Sequence, residues 1–407
     1  MKGTLLMKEQ FGSPAFKANP YPFYAGLRET EPVSRVRLKN GRTAWLITRY
    51  DDVLSALKDE RLSKDRVRAL TPKQLGREPW VPAMFRPLTR NMLDLDAPDH
   101  TRLRGLVHRA FTPRLVEAMR RRVCEITEAL MDAGEARGSM DLIRDYALPL
   151  PTTIIAEMLG VPAADRHRFH RWSTAIVTST ASSWGMFLAI PHVAAFLRYI
   201  RRLVRARRIT RADDLVSALV AAEEAGEQLN EDELLAMVFL LLIAGHETTV
   251  NLIGNGAWAL LRHPAEMQRL REEPPLGNSA VEELLRFESP LETATERYAR
   301  EDVTISGVTV PRGETVYAVL ASANRDERQF PRADTLDISR NPNRHLAFGM
   351  GVHYCLGAPL ARLEGQIAIE TLLRRAPNLR LAVSPEALRW RGGLVLRGLR
   401  SLPVALR

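Results

Sequence analysis

The 407-residue sequence predicts a mainly α-helical protein with a small β region. From Pro98 onward, apolar residues recur at helical spacing over most of the remaining ~300 residues. Only residues 302–320 change to the spacing of strands. Prolines punctuate the helical pattern and are expected to mark helix boundaries: Pro113, Pro149, Pro151, Pro162, Pro264, Pro274, Pro275 and Pro290. These observations predict a single large domain over residues 1–407, with a flexible N-terminus of about 19 residues.

The shorter elements follow from local spacing. Residues 43–48 read as a strand, and an amphipathic helix is expected over residues 50–58. Residues 66–95 combine prolines with apolar side chains and predict an irregular loop. Residues 302–320 predict a β-hairpin whose turn is Pro311-Arg312-Gly313.

The longest predicted helix spans residues 231–262. Asn230 and Glu233 form a capping box at its start, and the pattern ends before His263-Pro264. Thirty-two residues correspond to ~48 Å, so this helix should cross the whole molecule. Gly245 weakens its middle, and the Thr248 hydroxyl can bond back to the carbonyl of Ala244.

Composition is that of a soluble globular protein, with 45% hydrophobic and 26% charged residues. The apolar run at residues 236–244 is short of the ~20 residues of a membrane span, and no signal peptide is recognisable. A cytoplasmic protein without membrane insertion is therefore expected.

The net charge of +10 does not predict a nucleic-acid partner, because 58 basic residues are mixed with 48 acidic ones and no binding motif accompanies them. The densest basic clusters are residues 120–122 and 201–211. They favour a solvated helix face, and the alternative is a docking surface for an acidic protein.

The two cysteines, Cys124 and Cys355, have very different surroundings. Cys124 lies within a helical pattern and is expected to be a small buried side chain. Cys355 lies in the glycine-rich stretch of residues 345–357 and directly precedes a predicted helix. Glycines allow several backbone N–H groups to turn toward one sulfur, and a helix N-terminus favours a thiolate. A hydrogen-bonded thiolate is a strong axial ligand for haem iron.

The spacing Phe-Gly-x-Gly-x-His-x-Cys-x-Gly in this stretch resembles the cysteine loop of the cytochrome P-450 family. The resemblance implies the P-450 fold, haem b (iron protoporphyrin IX) as cofactor and Cys355 as the iron ligand. It also implies that Phe348 packs beside the thiolate, that Gly357 belongs to the cofactor site and that His353 faces a haem propionate. The resemblance extends over roughly residues 20–405.

The middle of the long helix is similar to the oxygen-activation motif of the same family. The motif is Ala244-Gly245-His246-Glu247-Thr248. An acid and a hydroxyl side by side in an apolar helix are costly without a purpose. The resemblance implies that Glu247 and Thr248 relay protons and that Ala244 borders the haem.

Further family positions are occupied by charged side chains. The pair Glu283 and Arg286, with Arg340, matches a structural Glu-x-x-Arg motif and its third member. The cations that would hold the haem propionates are His100, Arg104, Arg297 and His353. His100 and Arg104, four residues apart, share one face of a helix that starts near Asp96 and Pro98.

The implied reaction is mono-oxygenation, by hydroxylation or epoxidation, of an apolar small molecule such as a lipid, terpenoid, steroid or polyketide, and secondary metabolism is the expected setting. Residues 173–195 would form a lid over the substrate. Candidate pocket residues by resemblance are Trp80, Met84, Phe85, Met92, Leu240, Leu241, Leu291, Thr293 and Leu394. No flavin or nucleotide-binding segment is recognisable. Electrons would therefore come from a ferredoxin or flavodoxin with its NAD(P)H-dependent reductase, serving a monomeric enzyme.

Several alternatives remain open at this point. Cys355 with His353 could instead form a thiol-enzyme pair, or the loop could be a structural turn. A haem-thiolate protein could also act as a peroxygenase or an isomerase, although the Glu247-Thr248 pair favours O₂ activation. A non-catalytic haem-binding sensor would bind haem without turnover.

Overall fold

The computed structural model describes residues 11–38, 41–76, 91–179, 183–224 and 229–407. The structure is 57% helical with small sheets, which confirms the mainly α fold class. The α-helices of the described ranges are α1 Pro14–Ala18, α2 Tyr21–Thr30, α3 Tyr50–Lys58, α4 Arg66–Ala69, α5 Pro72–Leu75, α6 Asp99–Ala110, α7 Pro113–Ala118, α8 Arg120–Arg137, α9 Pro149–Met158, α10 Arg166–Ser179, α11 Ser183–Ile209, α12 Leu215–Glu224, α13 Glu231–Arg262, α14 Pro264–Glu272, α15 Gly277–Phe287, α16 Leu320–Ala323 and α17 Ala358–Arg375.

The strands of the described ranges form three small sheets. They are β1 Val33–Arg37, β2 Thr43–Ile47, β3 Leu62–Ser63, β4 Ser139–Asp141, β5 Arg297–Ala299, β6 Val303–Ile305, β7 Val308–Val310, β8 Thr315–Ala318, β9 Arg380–Leu381 and β10 Pro403–Ala405. The largest sheet has the order β1-β2-β8-β5-β3, and only its β2–β8 pair is parallel. The others are β4-β10-β9 and the β6-β7 hairpin.

Packing divides the chain into two compact units. The larger unit comprises Met1–Glu78, Thr127–Ala147 and Thr248–Arg407, and the smaller comprises Pro79–Ile126 and Leu148–Glu247. All three sheets belong to the larger unit, where α3 packs its buried face on a core beneath the largest sheet. In the smaller unit, the Phe196 ring of α11 contacts the rings of Phe169 in α10 and Phe239 in α13. The single domain over residues 1–407 stays a prediction.

Two elements match their predicted bounds. Helix α3 spans Tyr50–Lys58, and α13 spans Glu231–Arg262 with its capping box formed. The Glu233 amide donates to the Asn230 side chain at 2.8 Å, and the Glu233 carboxylate accepts from the Asn230 amide at 3.1 Å.

Helix α13 also contains an 18-residue window that could cross a membrane by length and composition. The apolar run at residues 236–244 is too short to have indicated this. In the described structure, 61% of that window is buried inside the protein. Burial of this kind is typical of the core helix of a soluble protein.

The hairpin prediction was wrong about its turn. The observed hairpin joins β6 to β7 through Ser306 and Gly307, whose φ values of 45° and 77° suit a two-residue turn. The segment after Pro311 does not fold back on β7. It continues into β8, which pairs with β2 and β5 instead. Pairing with partners far along the chain therefore overrode the local Pro/Gly signal.

Two further expectations differ from the structure. Residues 11–19 were expected to belong to a flexible N-terminus, but α1 is formed and buries Phe16 and Lys17. Cys124 was expected to be buried and is exposed. The inward face of α8 at this point is taken by Val123 and Ile126, which leaves the side chain between them outside.

Candidate active site

The cysteine loop is shaped by two glycines in the left-handed region. Gly349 has a φ of 69° and Gly351 a φ of 76°. A Cβ atom at Gly351 would lie only 3.0 Å from the carbonyl oxygen of Leu57, so a larger residue would require the loop or α3 to shift. The Cys355 amide donates to the Phe348 carbonyl at 2.9 Å, which closes the loop. The half-buried Cys355 thus lies just before α17, where the helix dipole favours a thiolate.

A charged cluster of Glu282, His345 and Arg362, which sequence reasoning missed, supports this loop. Arg362 of α17 donates to both carboxylate oxygens of Glu282, at 2.7 and 2.8 Å, and lies over the Phe348 ring. His345 contacts the same carboxylate at 3.1 Å. Burial alone would raise the pKa of Glu282, but the hydrogen bonds from Arg362 and His345 outweigh it and lower the pKa to about 2. No local signal separates Glu282 from its neighbour Glu283 in the sequence.

The structure brings Glu283, Arg286 and Arg340 together in the larger unit. The Glu283 carboxylate accepts from Arg286 at 2.7 Å through both oxygens and from Arg340 Nε at 3.1 Å. Arg286 also donates to the carbonyls of Asn324, Ala333 and Thr335. Because the side chains of Glu283 and Arg286 are fully buried, these bonds offset a large desolvation cost. The triad ties α15 to the segment that leads to the cysteine loop.

Arg297 and His353 lie in the same unit as Cys355. Arg297 is buried at the start of β5, and its guanidinium donates to the carbonyls of Leu62 and Leu57 at 3.1 and 3.2 Å. The Leu57 carbonyl is also the group that Gly351 approaches. One carbonyl therefore links the cation to the cysteine loop, while the half-buried His353 is carried by the loop itself.

The smaller unit carries His100, Arg104, Ala244 and Glu247. His100 of α6 is 3% exposed. Burial, and after it the positive charge of Arg104, lower its pKa, so the imidazole is neutral at pH 7. In α13, Ala244 and its neighbour Gly245 are exposed, whereas Glu247 is buried. The long buried helix therefore presents a short open surface of two small residues.

The second half of α13 belongs to the larger unit and carries Thr248 and Thr249. Thr249 is hydrogen-bonded to Glu364 of α17, a carboxylic acid with 1% of its surface exposed. Burial raises the pKa of Glu364 to about 8, against the smaller opposing effect of the Thr249 bond. Sequence reasoning did not single out Glu364.

The candidate pocket residues divide between the two units. In the larger unit, Leu291, Thr293 and Leu394 come together, because the Thr293 hydroxyl donates to the Leu394 carbonyl at 3.1 Å and Leu291 bridges to Leu396. In the smaller unit, Met92 and Leu240 are buried and Leu241 is half-buried. Trp80, Met84 and Phe85 lie outside the described residues. The predicted lid falls on the end of α10 and the start of α11.

These residues fit a thiolate-ligated haem. In the larger unit, Gly357 borders the Cys355 sulfur, since a Cβ at this position would lie 4.0 Å from it, an ordinary van der Waals contact. In the smaller unit, the exposed positions in the middle of α13 are Ala244 and Gly245, two of the smallest residues. Cys355 would supply the iron ligand, and the cations named above are the appropriate charge for two propionates.

Comparison with known proteins agrees with the geometry. The family model described as cytochrome P-450 matches residues 10–376. The polyketide biosynthesis cytochrome P-450 PksS of Bacillus subtilis is 45% identical over 394 residues, covering 96% of each chain. The mycinamicin IV hydroxylase/epoxidase of Micromonospora griseorubida is 46% identical and covers 94% of each chain.

A solved structure supports the same assignment. The myxobacterial cytochrome P-450 CYP267B1, in complex with myristic acid, superposes with a TM-score of 0.90 at 46% identity, covering 97% of this chain and 98% of that one. Both sequence and fold are therefore shared over almost the whole length. The chain belongs to the cytochrome P-450 family, the haem-thiolate monooxygenases.

Proposed function

We propose that this monooxygenase inserts one oxygen atom from O₂ into a long apolar small molecule, by hydroxylation or epoxidation, at a haem b site whose proximal ligand is Cys355. The single observation that carries the proposal is the cysteine loop. It presents a half-buried cysteine at the N-terminus of α17, with Gly349 and Gly351 in left-handed conformations. The haem supplies the oxygen activation when bound.

The charged side chains would hold the cofactor through its propionates. Arg297 and His353 from the larger unit, and His100 and Arg104 from the smaller one, are the proposed partners. Arg297 is held in place by two backbone carbonyls, which orients its guanidinium before any ligand arrives. The buried His100, four residues from Arg104 on the same helix, would donate a hydrogen bond to a propionate.

Proton delivery is proposed for Glu247 and Thr248. The buried Glu247 carboxyl would receive protons, and the Thr248 hydroxyl would pass them on to the place where O₂ is reduced. Ala244, which is exposed on the same helix, would leave room for O₂.

The substrate is proposed to be a polyketide-derived or fatty acyl molecule. The relatives named above include a polyketide-biosynthesis enzyme, a mycinamicin hydroxylase and a protein that binds myristic acid. Leu291, Thr293 and Leu394 are the proposed contacts in the larger unit, with Met92, Leu240 and Leu241 in the smaller. Trp80, Met84 and Phe85, with a lid over residues 173–195, would complete the pocket.

The partners are proposed to be a ferredoxin or flavodoxin with its NAD(P)H-dependent reductase. Family members use redox partners and small-molecule substrates, and an excess of positive charge suits small acidic electron carriers. We propose a cytoplasmic monomer. The apolar window of α13 is 61% buried within the described structure, as in the core helix of a soluble protein.

The first test is the carbon monoxide difference spectrum of the reduced haem protein. Cys355→Ala should lose the long-wavelength Soret band of a thiolate ligand, whereas Cys124→Ala, which removes the exposed cysteine, should keep it. A Cys355→Ala protein with the parent spectrum would remove Cys355 as the ligand. Product formation with H₂O₂ but none with O₂ and a ferredoxin donor would favour the peroxygenase alternative.

A further inference from the structure

A buried lysine near the N-terminus makes contacts far along the chain. Residues 11–18, which we call the N-terminal strap, carry Lys17 with 0% of its side chain exposed. Its ammonium lies 2.6 Å from the Glu292 carboxylate and donates to the Leu396 carbonyl at 2.9 Å. The Lys17 carbonyl accepts from Arg397 Nε at 3.1 Å. One residue therefore bonds to both the segment after α15 and a segment near the C-terminus.

The two segments that Lys17 joins are also paired with each other. The Glu292 amide donates to the Val395 carbonyl at 2.7 Å, and the Arg397 amide donates to the Pro290 carbonyl at 2.9 Å. These bonds place residues 290–293 beside residues 394–397. The same two segments carry Leu291, Thr293 and Leu394, the proposed substrate contacts of the larger unit.

The strap is in direct contact with the second of these segments. The Gly393 amide donates to the Gly12 carbonyl at 2.9 Å, and Leu394 packs against the aromatic cluster that contains Phe11 and Phe16. A Cβ at Gly12 would lie 2.9 Å from the Gly393 carbonyl oxygen, so the strap and the segment are in direct contact.

A second buried ion pair lies beside the Lys17–Glu292 pair. Arg397 pairs with Glu288, which also accepts a hydrogen bond from the Tyr21 hydroxyl at 3.2 Å. The Arg397 guanidinium lies 3.9 Å from the centre of the Trp390 ring. The Tyr24 hydroxyl donates to Glu292. The carboxylates of both ion pairs therefore face groups from α1 and α2.

Stability alone does not explain two buried ion pairs at this place. Burial lowers the pKa of Lys17, and the nearby Glu292 only partly offsets that effect. Apolar side chains of the same volume are often as stabilising as a buried ion pair, but an ion pair with directed bonds fixes one geometry. The bonds of Lys17 are directed at the backbone and side chain of the two pocket segments.

We propose that Lys17 is a positioning residue that sets the relative placement of residues 290–293 and 394–397, and thereby the shape of the substrate pocket. The inference rests on the proposed function, because the pocket role of Leu291, Thr293 and Leu394 is part of that proposal. The strap thus acts on specificity from outside the pocket.

The first experiment is hydrogen exchange of the haem protein, followed by mass spectrometry. Lys17→Met leaves Glu292 buried without its cation, so the double variant Lys17→Met/Glu292→Gln is made beside it to keep the fold stable. We expect faster exchange of the Glu292 and Arg397 amides in both variants. Arg28→Met is the matched control, since it removes a buried cation of α2 that bonds to the backbone of Ser322 and Arg325 instead.

In the Arg28→Met control, hydrogen exchange should not be faster at the amides of residues 292 and 397 than at other amides. If the double variant protects the Glu292 and Arg397 amides as well as the parent does, Lys17 does not position these segments and the proposal fails.

The second experiment compares two iron ligands by the haem absorption shift. Imidazole needs only the iron, whereas 4-phenylimidazole also needs the pocket. We expect the Kd of 4-phenylimidazole to rise by about fivefold or more in the double variant, while the Kd of imidazole changes by less than about twofold. Equal effects on both ligands, or none, would overturn the role in pocket shape. A parent protein that binds neither ligand would instead overturn the haem site, while hydrogen exchange would still decide the role of Lys17.

Discussion

Glu364 is a carboxylic acid held almost entirely out of water within α17. Burial is the larger influence and raises its pKa to about 8, while the hydrogen bond with Thr249 acts in the opposite direction. One of its carboxyl oxygens, Oε1, is buried without a hydrogen-bond partner among the described residues. The folded protein therefore favours the protonated acid, which needs fewer partners than a carboxylate.

A raised pKa makes stability depend on pH with a definite sign. The unfolded chain releases the Glu364 proton above its ordinary pKa of 4.5, whereas the folded chain retains it up to about 8. The free energy of unfolding should therefore fall as pH rises from about 4.5 to about 8, by up to about 5 kcal/mol. The free energy of unfolding of Glu364→Gln, measured with denaturant at pH 5 and pH 8, should fall by less than that of the parent over this range. Parallel stability curves for parent and variant would contradict the assignment.

The cysteine loop shows how one element depends on its neighbours. Two left-handed glycines turn the chain, and Gly351 also lies against the last turn of α3. Arg362 and Glu282 then hold α17 against α15 from below. The loop is thus held by contacts with α3, α15 and α17, of which only α17 adjoins it in the chain.

Gly307 and Gly351 have nearly the same φ but different surroundings. Replacing each by alanine therefore distinguishes the cost of backbone strain from the cost of a close contact. Gly307 has a φ of 77° and open space around it, whereas a Cβ at Gly351 would meet the Leu57 carbonyl. Gly307→Ala should lower the free energy of unfolding by about 1 kcal/mol through backbone strain alone and keep full haem content. Gly351→Ala should cost more and reduce the long-wavelength carbon monoxide band. Equal haem content and equal stability in the two variants would show that the contact with α3 is unimportant.

Charge is a property of the whole molecule. The cluster at residues 120–122 is a paired helix face, because Arg120 contacts Glu117, Arg121 contacts Glu125 and Arg122 contacts Glu157. The solvated-face interpretation therefore holds for this cluster. The excess of ten positive charges remains and favours encounter with acidic partners.

Electron transfer from an acidic ferredoxin should consequently depend on salt. Raising the ionic strength from about 0.1 M to about 1 M shortens the screening length from about 10 Å to about 3 Å. We expect the rate of haem reduction, followed by stopped-flow absorbance under carbon monoxide, to fall about tenfold or more. The thermal unfolding midpoint serves as the control and should change little. A rate independent of salt would exclude electrostatic steering.

The sequence by itself determined the features that short spacing encodes. The bounds of α3 and α13, the capping box at Asn230 and the motif around Cys355 all follow from periodicity and from residue types within a few positions of one another. Local backbone chemistry is sufficient there, because a helix satisfies its hydrogen bonds within itself.

Only the tertiary structure decided which distant groups meet. It paired Lys17 with Glu292, placed Arg362 on Glu282, gave β8 its partner β2 and left Cys124 exposed. Each outcome depends on which surfaces lose their water together when the chain packs. Desolvation makes a buried charge costly unless a partner satisfies it. The partners of Lys17 and Arg362 lie far along the chain, where local spacing cannot identify them.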